Sequence, residues 1–447
     1  MSWKKVKLGQ FLINREGRYK PNDIAIKGLK RIDKIDFSGK IHISDKPSNT
    51  DMILIKNGDL VISGINVEKG AMTIYQGEED VVATIHYSSY EFDENKIDIA
   101  FLKSFLKSIE FKNALKEQVP GGIKTEIKPK HLLPLLVKIP TDIIEQRNVV
   151  NILQSRNSKV DAISTELTHQ LDLVKKLRQQ LLQDAVQGKL VEQNPNDQPA
   201  SELLIKIKAE KDKLIKQKKL KIGRATEQSV SLINDVEIPD SWEWCKSDEI
   251  FFVTKLAGFE YSDHISLKES GEIPVVRAQN VRPLNIDKTN LLYIDAKTSA
   301  TLERCALIKK CLLVTFIGAG IGDVATFEET ERWHLAPNVA KMEPFEGCED
   351  LTNVKYLNYY LMSRLGQKEI FKHVKATAQP SLSMGTIRDI DFAIPPISEQ
   401  NRIVKKLDEL MQYCNDLEAS IKQSQQQNEK LLQQVLREAL RGELVEN

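Results

Sequence analysis

The chain repeats part of its own sequence at a nearly constant offset, and this duplication limits the possible folds more than any other feature. The pair Glu145-Gln146 recurs 254 residues later, as does the glycine-led run Gly188–Glu192, so the segments between them align without a gap. Upstream, Ile139-Pro140 recurs at an offset of 255, and Leu60–Ser63 has a similar run at an offset of 252. Such self-similarity is typical of repeated structural units. The sequence therefore predicts two half-proteins in tandem, each a globular part followed by a long polar segment.

Both polar segments, residues 141–192 and 396–447, have apolar residues at the spacing of a coiled coil. Apolar side chains recur every seven residues along two stripes in each segment, a pattern that continues for about five heptads. The predicted seam consists of Leu153, Val160, Ile163, Leu167, Val174 and Leu177 in the first segment and Leu407, Leu410, Leu417, Ile421 and Leu431 in the second. A helix of about 44 residues is roughly 65 Å long. Because the segments are equally long, we expect them to pair with each other; the alternative is that each pairs with a different protein.

The globular parts, residues 1–140 and 239–395, have the pattern of α+β domains. Short runs rich in β-branched residues alternate with Gly, Asn and Lys turns, as expected for strands. One helix is predicted near 99–118, with a counterpart near 353–374. Each half therefore has its own globular domain before its long helix.

Residues 193–238 form a linker that contains a lysine-rich helix, predicted from Glu202 to about Lys221. The lysines suggest phosphate binding. Leucine and isoleucine residues recur among them, however, and this pattern favours an amphipathic helix that packs on a neighbouring element.

Composition excludes several classes of protein. Apolar residues make up 41% and charged residues 28% of the 447 residues, which is typical of globular domains. No run approaches 18 consecutive apolar residues, and the first residues lack the apolar core of a signal peptide. The five cysteines include no Cys-x-x-Cys pair, which argues against a zinc ribbon or a disulfide framework. This cysteine usage favours a cytoplasmic location.

Charge is distributed unevenly between the two globular parts. Residues 1–140 carry 23 Lys and Arg against 18 Asp and Glu, a net charge of +5, whereas residues 240–395 carry 18 against 22, a net charge of −4. The net charge of the whole chain is only +1, which does not by itself predict nucleic-acid binding. Any such prediction must come from the order of the motifs.

Several motifs follow one another in a characteristic order. The run Pro195–Leu204 precedes Ile238–Trp244, and Ile394–Val404 (IPPISEQNRIV) leads into the second long segment, with a degenerate copy before the first. The tripeptides Gly188-Lys-Leu and Gly442-Glu-Leu close the two segments. In this order, and duplicated, the motifs resemble the specificity subunit of type I restriction–modification systems over essentially the whole chain. The first copy departs from the family at Thr141-Asp-Ile, where a Pro-Pro-Leu-like run is usual.

The resemblance implies an α+β architecture with two α/β target-recognition domains in tandem, separated by two long helices that form an antiparallel coiled coil. It implies a non-catalytic subunit that selects double-stranded DNA and recruits two methyltransferase subunits, specific for adenine N6, together with restriction or translocase subunits. No cofactor is expected in this chain, while S-adenosylmethionine, ATP and Mg are expected on the partner subunits. The alternatives are a specificity module of a type IIB-like or restriction-deficient methyltransferase, a coiled-coil adaptor that does not bind DNA, and a self-sufficient methyltransferase.

Two domains on a stiff spacer would read two unlike half-sites separated by a gap. Half-site centres about one helical turn, or roughly 10 bp, apart leave a gap of about 6–8 bp, which we expect the long helices to set. Asn and Gln pair with adenine, Arg pairs with guanine, and Lys mostly contacts phosphates. The candidate DNA contacts are Arg15, Arg18, Tyr19, Lys20, Asn66, Lys69, Lys124 and Thr125 in the first half and Arg277, Gln279, Asn280, Arg282, His334, Asn338, Gln379 and Ser381 in the second. The resemblance supplies Gln379 and Ser381, which match a loop near DNA. Each candidate has an ordinary alternative as a solvated, turn or structural residue.

The sequence contains little that resembles an active site. The run Phe316–Asp323 is rich in glycine, but its spacing is Gly-x-Gly-x-Gly and the next residues, Val324–Phe327, have the pattern of a strand. Without a following helix there is no helix N-terminus to bind a phosphate, so a glycine-rich turn near DNA or in the core is favoured. The seven histidines form no pattern of metal ligands. The sequence therefore predicts no metal site and no catalytic centre.

Overall fold

The computed structural model of the protein describes residues 3–44, 48–66, 69, 71–119, 126–220, 236–318, 320–372 and 381–441. The chain divides into two compact units. One contains the chain up to His169 and again from Ile421, and the other contains Gln170–Ser420. Each unit thus holds one globular domain and part of each long helix.

The described helices include two that are far longer than the rest. The helices are α1 (Ile99–Leu106), α2 (Ile109–Gln118), α3 (Pro129–Leu132), α4 (Ile143–Val186), α5 (Ala200–Lys216), α6 (Ser247–Ile250), α7 (Gly258–His264), α8 (Ala296–Thr301), α9 (Val354–Met362), α10 (Arg364–Phe371), α11 (Met384–Arg388) and α12 (Ile397–Arg441). The long helices α4 and α12 have 44 and 45 residues, which confirms the two predicted helical segments.

The first globular domain is built on two four-stranded sheets and a two-stranded ribbon. Its strands are β1 (Trp3–Lys7), β2 (Leu12–Asn14), β3 (Arg31–Ile35), β4 (Ile41–Ser44), β5 (Met52–Ile55), β6 (Leu60–Ser63), β7 (Met72–Ile74), β8 (Val81–Thr84), β9 (Tyr87–Phe92) and β10 (Leu136–Pro140). The sheets have the orders β2-β9-β6-β7 and β4-β3-β8-β5, and β1 pairs with β10.

The second globular domain has the same plan with one additional hairpin, β14–β15. Its strands are β11 (Glu243–Lys246), β12 (Phe251–Lys255), β13 (Ile273–Val276), β14 (Val281–Arg282), β15 (Asn285–Ile286), β16 (Leu292–Ile294), β17 (Ala306–Leu307), β18 (Cys311–Thr315), β19 (Val324–Phe327), β20 (Trp333–Leu335), β21 (Val339–Pro344) and β22 (Asp391–Ile394). The sheets have the orders β12-β21-β18-β19 and β16-β13-β20-β17, and β11 pairs with β22.

The two domains therefore have one topology. In each, one pair of strands is parallel, β3 with β8 and β13 with β20, while the corresponding remaining pairs are antiparallel. The duplication read from the sequence thus extends to the order and direction of the strands. This agreement allows each position in one domain to be compared with a structural counterpart in the other.

The helices of the globular domains differ from the prediction of one helix per domain. Each predicted helix is a pair, α1–α2 and α9–α10, because a serine begins a new helix at the same place in both repeats. The Ser108 hydroxyl accepts a hydrogen bond from the Phe111 N–H, and the Ser363 hydroxyl accepts one from the Gly366 N–H, both at 3.1 Å. A serine at this capping position satisfies an N–H group that a helix start leaves unpaired.

The repeated Glu-Gln pair has a structural role at the start of each long helix. The amide oxygen of Gln146 accepts the Asp98 N–H at 2.7 Å, and that of Gln400 accepts the Asn353 N–H at 2.9 Å. Both side-chain amides also donate to a proline carbonyl just before the helix, at 2.9 Å in each case. The glutamine therefore ties the long helix to the cap of α1 or α9, which explains why this motif occurs in both halves.

The long helices lie antiparallel in each unit. In the first unit, the Asn428 side-chain amide of α12 donates to the Val160 carbonyl of α4 at 3.0 Å. In the second unit, the Arg178 guanidinium of α4 contacts Asn415 and Glu418 of α12, each at 2.7 Å. Early residues of α4 thus meet late residues of α12, and late residues of α4 meet earlier ones. These contacts confirm the predicted antiparallel coiled coil.

Only one of the two apolar stripes that were predicted to form the seam of each long helix is buried. The buried stripes repeat every seven residues and consist of Leu153, Val160, Leu167 and Val174 in α4 and Leu407, Cys414, Ile421, Asn428 and Val435 in α12. Leu410 is half-buried. The predicted seam residues Ile163, Leu177, Leu417 and Leu431 remain 44–49% exposed. Two helices contact each other along a narrow line. A second apolar stripe lies beside that line and stays partly exposed unless another helix covers it.

The lysine-rich helix α5 packs on the second unit, as its amphipathic pattern predicts. Ala200, Leu203, Ile207 and Leu214 are buried in the main core of that unit. The helix ends at Lys216, earlier than predicted, because the chain reverses at Lys218, which has a φ of +61°.

Two further expectations can be compared with the structure. The five cysteines are buried and unpaired. In the described part of the chain, no helix is long and apolar enough to cross a membrane.

Candidate nucleic-acid interface

Three segments of the second domain meet where strands of the sheet β12-β21-β18-β19 end. The Phe316 N–H, just after β18, donates to the carbonyl of Asn338, which precedes β21, at 3.1 Å. The Phe316 carbonyl in turn accepts the Leu382 N–H at 2.9 Å. Ile317 and Ser381 form a bridge between the same two segments. Asn338, Ser381 and Ile317 are therefore neighbours, with exposed side chains. We call the surface formed by Lys255, Arg282, Ile317, Asn338 and Ser381 the second-domain tip.

Two cations flank this surface. The Lys255 ammonium, at the end of β12, lies 4.7 Å from the centre of the buried Phe316 ring, within the range of a cation–π contact. Arg282 is exposed on the β14–β15 hairpin, which is held beside β19 by a 2.8 Å hydrogen bond from the Leu284 N–H to the Val324 carbonyl. Burial raises the pKa of nearby Asp323, although the charge of Arg282 acts in the opposite direction. The Lys255 ammonium and the Arg282 guanidinium therefore offer hydrogen-bond donors to an anionic ligand.

The glycine-rich run is a hairpin turn, as the sequence favours, and not a nucleotide loop. It joins β18 to β19, which pair antiparallel, so no helix follows it. Gly318, Gly320 and Gly322 have φ values of +102°, +90° and +85°, which residues with a side chain rarely adopt. At Gly322 a Cβ would also meet the Phe371 ring at 2.6 Å. The glycines are therefore required by the turn itself and by its packing on α10.

A buried ion cluster holds the chain just before residue 373. The ammonium of Lys372, 2% exposed, lies 2.8 Å from Glu369 and 3.0 Å from Asp391, and Asp389 also contacts it. Lys246 joins the cluster through Asp389 and Asp391, each at 2.9 Å. The predicted contact Gln379 lies outside the described residues.

The structure reduces the number of second-domain residues that could contact DNA. Asn280 is 1% exposed, and its side chain is occupied by the carbonyls of Asp287 and Thr289 and by the Arg277 N–H. Its role is to hold a turn, so we exclude it from the proposed contacts. The Arg277 guanidinium donates to the Asn290 carbonyl at 2.5 Å, whereas Gln279 beside it is exposed.

The prediction that His334 lies in a DNA-contacting loop is wrong. His334 lies in β20 and is fully buried, with its Nδ1 3.0 Å from the Leu335 carbonyl. Burial lowers the pKa of His334, which favours the neutral imidazole. Buried apolar neighbours on both sides make this segment a strand, and the side chain is not available to DNA.

The first domain has a corresponding surface, held by the same pair of backbone hydrogen bonds. The Gly64 N–H donates to the His86 carbonyl, and the Gly64 carbonyl accepts the Ile127 N–H, both at 2.8 Å. Gly64 therefore corresponds to Phe316, and His86 corresponds to Asn338, at an offset of 252. Glu126, which precedes Ile127, corresponds to Ser381. We call the surface formed by Ile65, Asn66, Lys69, His86 and Glu126 the first-domain tip.

Two predicted contacts of the first domain, Asn66 and Lys69, lie at this tip. Asn66 forms the turn, because its carbonyl accepts the N–H groups of Lys69 and Ala71, at 3.1 and 3.2 Å. The Lys69 ammonium is exposed and lies 5.6 Å from the centre of the Phe37 ring, which is itself 56% exposed. Lys124 and Thr125 lie outside the described residues, directly before Glu126.

Arg15 is part of the fold rather than of a free surface. Its guanidinium makes two hydrogen bonds to Asp59, at 2.7 and 2.8 Å, and contacts Glu91 at 2.8 Å. Asp59 is 2% exposed and also accepts the Ser89 hydroxyl at 2.7 Å. The hydrogen bonds that Arg15 donates to the Asp59 carboxylate raise the pKa of Arg15. A base contact would break a nearly buried ion pair, so Arg15 is excluded from the proposed contacts.

The remaining early candidates lie close together along the chain. Arg18 is exposed and lies 3.3 Å from Asp51. Tyr19 exchanges two backbone hydrogen bonds with Met52, at 2.8 and 2.9 Å, and its side chain packs on a small apolar cluster. Lys20 is exposed beside it. Arg18 and Lys20 therefore fit phosphate contacts better than base contacts.

Sequence reasoning missed three polar residues of the two tips, His86, Glu126 and Lys255, as well as the apolar residues Ile65 and Ile317. The repeat itself carried a signal for His86, because Asn338 was a candidate and lies 252 residues after it. No comparable signal marked Lys255, whose position depends on how β12 pairs with β21. Among the described residues, no three His, Cys, Asp or Glu side chains cluster as a metal site.

Comparison with known proteins finds a family model that is similar to part of this chain. A family model described as the type I restriction modification DNA specificity domain matches residues 239–426, which include the second globular domain and the first part of α12. The matched residues thus include the second-domain tip and only the first part of the long helix that follows it.

Curated relatives extend the similarity to more of the chain. The specificity subunit of the type I restriction enzyme EcoAI from Escherichia coli is 29% identical over 256 residues, 56% of this chain and 42% of that protein. The EcoBI specificity subunit from Escherichia coli is 22% identical over 354 residues, 79% of this chain and 67% of that protein. The match with EcoAI thus spans less than half of that relative's length. Both relatives are named as specificity subunits of type I restriction enzymes.

Solved structures agree in fold. The crystal structure of the HsdS subunit from Thermoanaerobacter tengcongensis is 15% identical and superposes with a TM-score of 0.56 over 99% of this chain and 97% of that one. A chain from a study of complex assembly and conformational transition of the type I R-M system superposes with a TM-score of 0.59, also at 15% identity, over 99% and 98%. These likenesses support the fold of tandem domains joined by paired long helices.

Proposed function

We propose that this chain is the DNA-specificity subunit of a type I restriction–modification assembly and that it reads an asymmetric, bipartite DNA target. One observation carries the proposal: two domains of one topology expose corresponding tips that bear different side chains. Where the second-domain tip has Asn338 and Ser381, the first-domain tip has His86 and Glu126. Equal architecture with unlike reading groups suits two unlike half-sites.

Both tips also present cations suited to the DNA backbone. Lys69 is exposed at the first tip, and Arg282 is exposed at the second. Such groups position a protein on the duplex by contacting phosphates, while amide and carboxylate groups between them reach base edges. The net charge of −4 on the second domain is unfavourable for DNA on its own. We propose that partner subunits supply part of the positive surface around that half-site.

The paired helices offer the surface for those partners. Ile163, Leu177, Leu417 and Leu431 are half exposed along α4 and α12. Additional helices packed on these flanks would bury them, as in a helical bundle. We propose that two methyltransferase subunits bind there, one to each half of the complex, and that restriction subunits join them. S-adenosylmethionine, ATP and Mg would be held by these partners. The buried, unpaired cysteines support a cytoplasmic location.

The experiment is methylome sequencing of cells that express the modification subunits with and without this chain. We expect adenine methylation at one motif of two unlike half-sites and a gap of about 6–8 bp, present only with the chain. A continuous motif would favour a different kind of methyltransferase module. An unchanged methylome together with no DNA binding by the assembled complex would favour a coiled-coil adaptor and refute the proposal.

A further inference from the structure

The first-domain tip contains a carboxylate that the fold does not require. Glu126 is partly exposed, with its Oε1 3.1 Å from His86 Nδ1 and its Oε2 3.4 Å from the Lys128 ammonium. The side chains of His86 and Lys128 are themselves 51% and 56% exposed. Ion pairs between groups this accessible to water contribute little to folding. The cluster therefore has no strong structural reason to exist at this position.

Gly64 brings the two side chains of this cluster together. A Cβ at this position would meet the Ile127 carbonyl oxygen at 2.8 Å, Glu126 Cγ at 3.0 Å and the His86 carbonyl oxygen at 3.1 Å. In the second domain, the corresponding residue is Phe316, which has a large, buried side chain. The missing side chain in the first domain thus lets His86 and Glu126 approach each other. Gly64 acts as a positioning residue for the pair.

The electrostatics favour a carboxylate that stays ionised. Burial raises the pKa of Glu126, but hydrogen bonds from His86 and Lys128 together with their charges outweigh it, so the net shift is downward. A bare carboxylate near DNA would be repelled by phosphates. Two cationic or hydrogen-bonding neighbours reduce that repulsion and leave acceptor lone pairs free. A carboxylate that accepts hydrogen bonds matches the exocyclic amino group of cytosine in the major groove.

We propose that Glu126, positioned by His86 and Gly64, is a specificity-determining residue that accepts a hydrogen bond from the amino group of a cytosine in one half-site. This inference rests on the proposed function, since it requires that the first-domain tip faces DNA. Adenine fits less well, because the acceptor N7 beside its amino group repels a second acceptor. His86 shields the carboxylate from phosphates and holds its orientation.

The test uses the full chain assembled with its modification subunits, and reads the recognised motif by methylome sequencing and by selection from randomised DNA. Three variants are compared with the wild type: Glu126→Gln, Gly64→Ala and, as a matched control, Glu117→Gln. Glu117 is an exposed carboxylate of the same domain on α2, outside the tip. Thermal unfolding of each variant confirms that the domain is folded.

Glu126→Gln keeps the shape of the side chain but adds a donor, which suits adenine. We expect the discrimination in favour of cytosine at one position of one half-site to decrease by a factor of about 5 to 150. The preference at that position should move toward adenine. Gly64→Ala should weaken the same position, and Glu117→Gln should change nothing. The half-site read by the second domain serves as an internal control and should be unaltered.

Two results would overturn the inference: a wild-type motif for Glu126→Gln, or an equal loss of binding to all sequences, which would indicate a backbone or structural role. Both leave the bipartite motif of the wild type in place. If the proposed function itself is wrong, the wild-type chain yields no bipartite motif, so the two failures can be distinguished.

Discussion

The buried carboxylate of Glu399 should control the stability of the second unit and its dependence on pH. Glu399 is 1% exposed and accepts two hydrogen bonds, from the Trp242 indole N–H at 3.0 Å and from the Gln193 amide at 2.6 Å. It therefore joins the start of α12, the start of the second domain and the linker after α4. Its removal should loosen all three segments.

The substitutions Glu399→Ala and Glu399→Gln separate the hydrogen bonds from the charge. Alanine leaves the Trp242 N–H buried without an acceptor, which costs about 1–3 kcal/mol, and also removes the bond to Gln193. Relief of the buried charge offsets part of this loss, so we expect a net cost of about 2–3 kcal/mol. Glutamine can still accept the indole N–H, and a rotated Gln193 amide can accept from it while donating to Ser241, now 3.2 Å away. We therefore expect Glu399→Gln to lie within about 1 kcal/mol of the wild type.

The assay is thermal unfolding of the full chain, followed by tryptophan fluorescence over a range of pH. A loss of about 2–3 kcal/mol corresponds to a decrease in Tm of about 4–12 °C for a unit of this size. Burial raises the pKa of Glu399 despite the hydrogen bonds from Gln193 and Trp242. A raised folded-state pKa stabilises the protein below the unfolded-state value of about 4.3, and this contribution is lost as the pH rises through the folded-state pKa. Relative to Glu399→Gln, the wild type should therefore lose stability as the pH increases from about 4 to neutrality. A wild-type Tm for Glu399→Ala, or the opposite pH trend, would refute this reasoning.

Two other substitutions test the fold of the first unit. Arg15→Ala leaves Asp59 buried without its charged partner, so we expect a loss of about 3–5 kcal/mol in unfolding experiments; a stable variant with altered DNA recognition would instead place Arg15 at the DNA. Asn428→Leu replaces the buried polar residue of the α12 stripe, which donates to Val160, and should raise the Tm while light scattering detects additional oligomers. A lower Tm with a single species would contradict this second prediction.

The sequence predicts the large features of this fold because they repeat. The constant offset predicted two half-proteins in tandem, and the heptad spacing predicted α4 and α12 with ends close to those observed. The exposed half of the seam was not predictable, since heptad spacing does not say how many helices share it. Ile163 and Leu431 satisfy the pattern whether a third helix covers them or not.

The candidate site was predicted less completely than the fold. Exposed residues on or beside turns, such as Arg282 at the end of β14 and Asn338 before β21, follow from the alternation of strands and turns. Polar residues that satisfy the fold itself, such as Arg15 and Asn280, have the same residue types as base-reading groups, so composition alone cannot distinguish them. The partner of Arg15, Asp59, lies 44 residues away in sequence and becomes apparent only when the strands are paired. The partners of Asn280 lie within nine residues, but the turn that brings them to its side chain is seen only in the structure.

The central claim is that two recognition domains joined by paired helices read one split target. The most direct measurement is the recognised motif after one heptad is removed from each helix at facing positions, residues 157–163 of α4 and 425–431 of α12, which surround the Val160–Asn428 contact. Seven helical residues span about 10.5 Å, or about 3 bp of duplex. We expect both half-sites to be retained with a gap shortened by about 3 bp. An intact motif with an unchanged gap would contradict the claim.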